Sequence, residues 1–166
     1  MRPQLNYTEI APEGLQPMHG LEAYIRQCGL EHSLLELVKT RASQINGCAF
    51  CLDMHTKDAR AAGETEQRLY TLPAWRETPF FSARERAALL WTETLTELST
   101  HEITEQIEQT VQEQFSDREL VDLTLAIIVI NGWNRLAIPF HTPAGSYDPA
   151  TWPRRTKLKS HYQQAS

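Results

Sequence analysis

The sequence predicts an all-α protein, and three observations carry that prediction. Apolar residues recur at i, i+3 and i+4 through most of the chain. Two Ser-x-x-Glu capping boxes, Ser82 with Glu85 and Ser116 with Glu119, mark helix starts. Prolines gather in two places outside the periodic runs.

Taken in order, Leu34, Leu35, Val38, Ala42 and Ile45 form one helical face, which Asn46 and Gly47 break because both tolerate left-handed backbone. A second helix runs from about Cys48 to Ala62 and stops at Gly63. Pro73 and Pro79 flank a loop around Trp75. Ser82 opens a helix bearing Ala87, Ala88, Leu90, Trp91 and Leu95, and Thr100 opens another with Ile103, Ile107 and Val111. Ser116 starts a long apolar helix through Leu120, Leu123, Ile127 and Ile130 towards Pro139. The β-branched run Ile127-Ile128-Val129-Ile130 also suits a strand, but the cap upstream and the length of the pattern favour a helix. Its apolar character on more than one face places it at the centre of the fold or in a subunit interface. Pro139, Pro143, Pro149 and Pro153 mark an irregular C-terminal segment.

The bulk composition narrows the function classes. A chain of 166 residues, 41% apolar and 22% charged, suits a single globular domain over 1–166. The net charge is −5, and the one basic cluster, Arg154, Arg155, Lys157 and Lys159, reads as a solvated end, so no nucleic-acid partner is expected. No run reaches the roughly 18 apolar residues of a membrane span, and Met1 to Gly20 lacks a signal-type apolar core. The cytoplasm is the expected location. Three cysteines, an odd number, do not make a disulfide scaffold.

The chemistry is carried by Cys48-Ala49-Phe50-Cys51-Leu52-Asp53-Met54-His55. On a helix beginning after Asn46-Gly47, Cys51 lies about 60° around from Cys48, with His55 between them in angle and a rise of about 6 Å from Cys51 to His55. A helix N-terminus favours the thiolate, which is the reactive form of cysteine. A nearby His can move a proton, and the second Cys can attack a sulfenic acid on the first. Three other readings compete. Zinc would take Cys48, Cys51 and His55, with Cys28, His32 or Glu36 as a fourth ligand. A thioredoxin-like site would need a strand before the pair. Two small buried apolar residues is the plainest reading. Spacing alone puts Glu36, between Leu35 and Leu37, at the surface.

The pattern Glu36, eleven residues, Cys48-x-x-Cys51-x-x-x-His55 resembles the alkylhydroperoxidase D-like branch of the carboxymuconolactone decarboxylase superfamily. The runs Lys39 to Cys48, Thr56 to Gly63 and Trp133 to Ala137 resemble it too, so that the likeness spans about 15–142. The resemblance implies an AhpD-like helical fold that assembles as a homo-oligomer, a trimer or hexamer, and a thiol-dependent peroxidase. Its partners would be a hydroperoxide substrate and a dithiol or thiol-protein reductant, with no cofactor or metal. Cys51 would be the peroxidatic thiol and Cys48 the resolving one, with Glu36 as base, its pKa raised by burial, and His55 relaying the proton. Phe50 stands where the founding peroxidase has a His, which removes one polar contact beside Cys51. A non-peroxidase thiol–disulfide oxidoreductase on the same fold and a zinc-binding or oxidant-sensing protein are the alternatives. Cys28, Trp91 and Trp133 take core readings. His19, His32, His101 and His161 form no constellation, and Asn134 could bond across an interface.

Overall fold

A computed structural model describes residues 4–151. The basic cluster at Arg154 to Lys159, and His161, lie outside them. The described residues are helical with no strand: α1 (Tyr7–Ile10), α2 (Pro12–Ile25), α3 (His32–Asn46), α4 (Ala49–Ala61), α5 (Glu66–Thr71), α6 (Ala83–Thr96), α7 (Glu105–Gln112) and α8 (Asp117–Ala137), with a 3-10 helix at Leu72–Glu77.

Helix starts follow the caps. Both capping boxes form, with Ser82 and Ser116 each accepting the N–H of the Glu three residues on. Helix α7 departs from the reading that Thr100 opens it. Thr104 is its N-cap, and Ile103 is exposed outside the helix. The segment around Trp75 is not a plain loop but the 3-10 helix, held because Trp75 is buried and its Nε1–H donates to Glu93 at 2.9 Å. The sequence reading passed over α1 and α5, which are only four and six residues long, and over α2, which carries Pro17 inside it. Helix α2 starts with Pro12, whose fixed φ suits a first turn.

Helix α8 touches α2, α3, α4, α6 and α7, so it is the central element. Burial of Ile127, Val129 and Ile130 settles the β-branched run as helix, since packing outweighs a propensity of a few tenths of a kcal/mol. By length and composition α8 could also cross a membrane, but half of its apolar window is buried inside the fold. One core cluster joins Ile25, Leu35, Val38, Ala88, Leu123 and Ile127. A second joins Leu37, Leu72, Trp75, Phe81 and Leu89 on the opposite face of α3. A third, smaller cluster holds Ala42, Cys48, Cys51, Ile130 and Ala137, with Phe50 packed against it. The fold therefore seats the thiol pair between α3, α4 and α8.

Candidate active site

The site begins at the corner between α3 and α4. Gly47 ends α3 at φ 71°, in the left-handed region that a side chain strains. That turn sets Cys48 as the N-cap of α4, where its Sγ accepts the backbone N–H of Cys51 at 3.4 Å. The Cys51 thiol and the Phe50 N–H also bond to Cys48, and Asn134 reaches both sulfurs. The Cys51 bond is the largest influence on Cys48 and, against burial, lowers its pKa to about 7. Donation to Cys48, then burial, push the Cys51 thiol up. The bond shared by the two sulfurs thus eases ionisation of Cys48 and opposes that of Cys51. Both residues are only 1% exposed.

One turn further along α4, His55 is buried and its Nδ1 lies 2.8 Å from the Oε2 of Glu36. Glu36 is itself 4% exposed, against the surface position that spacing alone suggested. Its titration also runs opposite to the expected rise. Burial pushes the carboxyl up, but His55, Lys39 and His32 together outweigh that and hold it at about 2. Glu36 is therefore an anion that fixes the His55 ring, rather than a neutral acid waiting to ionise.

Other groups join that the sequence reading did not assign. His32 Nε2 stands 3.8 Å from Glu36 Oε1, one turn before it on α3. Lys39, 3% exposed, donates to Glu22 on α2 at 2.5 Å, and Glu22 is lowered by Lys39 despite its burial. Asn134 is fully buried and donates to Ser43 at 3.2 Å while accepting from Asn46 at 2.9 Å. Its bonds lie within the chain and tie α8 to the α3–α4 corner. The quoted runs contained Lys39, Asp58 and Asn134, but no spacing rule marked them as site residues. Cys28 sits in the turn after α2, half-buried against the first core cluster and away from the pair.

Metal-ligand geometry does not assemble around the thiols. Among the described residues, the set of three candidate donors lying within 4.8 Å of one another is Glu36, His55 and Asp58, without either cysteine. The arrangement is that of a thiol pair one helical turn from a hydrogen-bonded His55–Glu36 pair, with Asp58 close to both.

Residues 12–94 match the model of the carboxymuconolactone decarboxylase family. An uncharacterized Bacillus subtilis protein, YdfG, is 44% identical over 146 residues, covering 88% of this chain and 99% of its own length. A crystal structure of an Agrobacterium tumefaciens protein of unknown function, with a suggested antioxidant-defence role as AhpD, superposes with a TM-score of 0.84. It shares 39% identity and covers 88% of this chain and 100% of its own. The debrominase Bmp8, solved with 2,3,4-tribromopyrrole, has the same fold at a TM-score of 0.75 and 14% identity, over 84% of this chain and 74% of its own. The chain belongs to the carboxymuconolactone decarboxylase family, and its fold is AhpD-like.

Proposed function

We propose that this member of the carboxymuconolactone decarboxylase family is a thiol-dependent peroxidase that reduces hydroperoxides through a Cys48–Cys51 disulfide. The observation that carries the reading is the buried thiol pair at the start of α4, in which the Cys48 sulfur caps the turn that bears Cys51, one turn from a buried His55–Glu36 pair. The likeness to a protein with a suggested antioxidant role supports it.

In the proposed cycle Cys48 acts first as the internal base. The proton between the sulfurs moves to Cys48, and the Cys51 thiolate attacks the outer oxygen of the hydroperoxide. An S–O bond forms, the O–O bond breaks, and the departing alkoxide takes a proton from His55 and leaves as the alcohol. Cys48 then attacks the Cys51 sulfenic acid, the S–S bond forms, and the hydroxyl leaves as water with the Cys48 proton. A dithiol or thiol-protein returns the pair to its reduced form by exchange. Such a cycle suits a reducing compartment, the cytoplasm. A homo-oligomer, trimer or hexamer, fits the exposed Val121 and Ile128 one heptad apart on α8.

The test is a thiol titration before and after one equivalent of an organic hydroperoxide, with peroxide loss followed in parallel. Two thiols should disappear, Cys28 should remain, and peroxide should fall in proportion. Three free thiols with undiminished peroxide would overturn the reading. The debrominase's shared fold favours one second reading, a thiol reaction on another small molecule. That reading predicts a pair that a chemical oxidant closes to a disulfide while hydroperoxides leave it open.

A further inference from the structure

Building on the peroxidase reading, we propose that Asp58 and Tyr147 are positioning residues that hold His55 ready to protonate the departing alkoxide. Asp58 follows His55 by three residues on α4, so the two share a face. Its carboxylate, a Glu36 oxygen and a His55 ring nitrogen all lie within 4.8 Å of one another. Two carboxylates from different helices thus lie close to the His55 ring, and one of them, Glu36, bonds its Nδ1 at 2.8 Å, an arrangement that fixes the ring's orientation.

Tyr147 completes the cradle from the far end of the chain. Its hydroxyl donates to Asp58 Oδ1 at 2.5 Å, and the residue is only 8% exposed. Burial first, and then Asp58, hold the phenol well above its ordinary range, so it remains a donor. The segment that delivers it is fastened to α4 by two further bonds. The Gly145 N–H donates to Asp53 at 3.0 Å, and Lys57 Nζ donates to the Tyr147 carbonyl at 2.9 Å. On its outer side Tyr147 walls a cleft of about 570 Å³ beside Thr56, Lys57, Leu69 and Tyr70. Tyr147, Glu36 and His55 are all buried, and exclusion of water strengthens the interactions they make. A tether for the chain end would need the backbone bonds. It would not need a phenol placed on the carboxylate that flanks the histidine.

Proton delivery can be separated from architecture by the leaving group. An alkyl hydroperoxide expels an alkoxide, which must be protonated. A peroxycarboxylic acid expels a carboxylate, which need not be. The experiment compares Cys48–Cys51 disulfide formation by tert-butyl hydroperoxide and by peracetic acid in the wild type, Tyr147→Phe and Asp58→Asn. Both variants should react about tenfold more slowly with the alkyl hydroperoxide, a part of the full worth of a general acid. With peracetic acid they should keep the wild-type rate within a factor of about two, which also reports that the pair and its helix are intact. Equal losses with both oxidants would assign the two residues to structure alone, and no loss with either would remove them from the chemistry. Both results overturn the proposal. A wild type that forms no disulfide with either oxidant overturns the peroxidase reading itself, and this inference falls with it.

Discussion

Cys48 caps the helix that carries Cys51: its sulfur accepts the Cys51 backbone N–H at 3.4 Å and also receives the Cys51 thiol. One residue is thus both a helix N-cap and half of the thiol pair. The usual oxygen of a capping side chain is replaced by a sulfur that can carry charge. The reactivity of the pair depends on that double duty.

Replacing Cys48 with Ser keeps a capping oxygen but removes the ionisable partner. Cys51 then has to lose its own proton while buried. Thiol alkylation in the wild type should rise with pH through about 7, because the thiolate is the deprotonated form and the pair first ionises there. In Cys48→Ser the midpoint for Cys51 should move up by about one unit or more. Rates of reaction with a neutral alkylating reagent across pH check this, and on the proposed cycle peroxide turnover should be lost, because that cycle needs Cys48 as its resolving thiol.

Glu36 predicts an acid limit to stability. Its folded pKa of about 2 lies below the ordinary 4.5. The stability it contributes is therefore present above pH 4.5 and is lost as pH falls towards 2. The full worth is on the order of 3 kcal/mol, the free energy of such a shift. In Glu36→Gln, the unfolding free energy measured in urea should fall by about 3 kcal/mol less between pH 6 and pH 2 than in the wild type. Disulfide formation by hydroperoxide should slow as well, since the His55 ring loses its charged anchor.

Asn134 predicts a coupling between α8 and the thiols. It is fully buried, bonds Ser43 and Asn46, and reaches both sulfurs. Asn134→Ala should destabilise the fold by about 2 kcal/mol through the buried partners left unmatched. The same variant should raise the midpoint of thiol alkylation, because one donor to the Cys48 thiolate is gone.

Two glycines should behave differently. Gly47 sits at φ 71° with open space around it, so Gly47→Ala meets no clash. It should still cost about 1 kcal/mol from the left-handed backbone and lower Tm. Gly132 is helical, and a Cβ there would come within 2.9 Å of the flexible end of Met18. Gly132→Ala gains helix propensity and loses only the ease with which Met18 sits, so its unfolding midpoint should move less than that of Gly47→Ala.

The sequence was most legible where local rules and burial agreed. Ser82 and Ser116 announced their helices because capping is settled within four residues. The corner at Asn46-Gly47 could be read for the same reason, and it placed Cys48 at a helix start. Thr100 misled because a threonine can cap only where the next turn is helical, and the chain reaches that geometry at Thr104. Trp75 looked like a loop residue between prolines, and its burial and its bond to Glu93, both made across the fold, explain the 3-10 turn. At the site, spacing brought Cys48, Cys51 and His55 together but misjudged Glu36, because periodicity cannot show that a buried charge has His55 and Lys39 to oppose it. Asp58 and Tyr147 were out of reach for a different reason: 89 residues separate them in sequence. Their meeting depends on where the last segment lands.

The sulfur cap ties the redox state of the chain to its folding. Closing a disulfide consumes the thiolate that receives the Cys51 N–H, so the first turn of α4 loses a charged acceptor when the pair is oxidised. What stabilises the reduced chain relative to the oxidised one also raises the potential at which the disulfide gives way, because both quantities close the same thermodynamic cycle. In the proposed cycle, a residue that starts a helix thus sets how strongly the protein holds on to electrons. Reduced and oxidised chains should differ in amide exchange first at Phe50 and Cys51, the N–H groups that face Cys48.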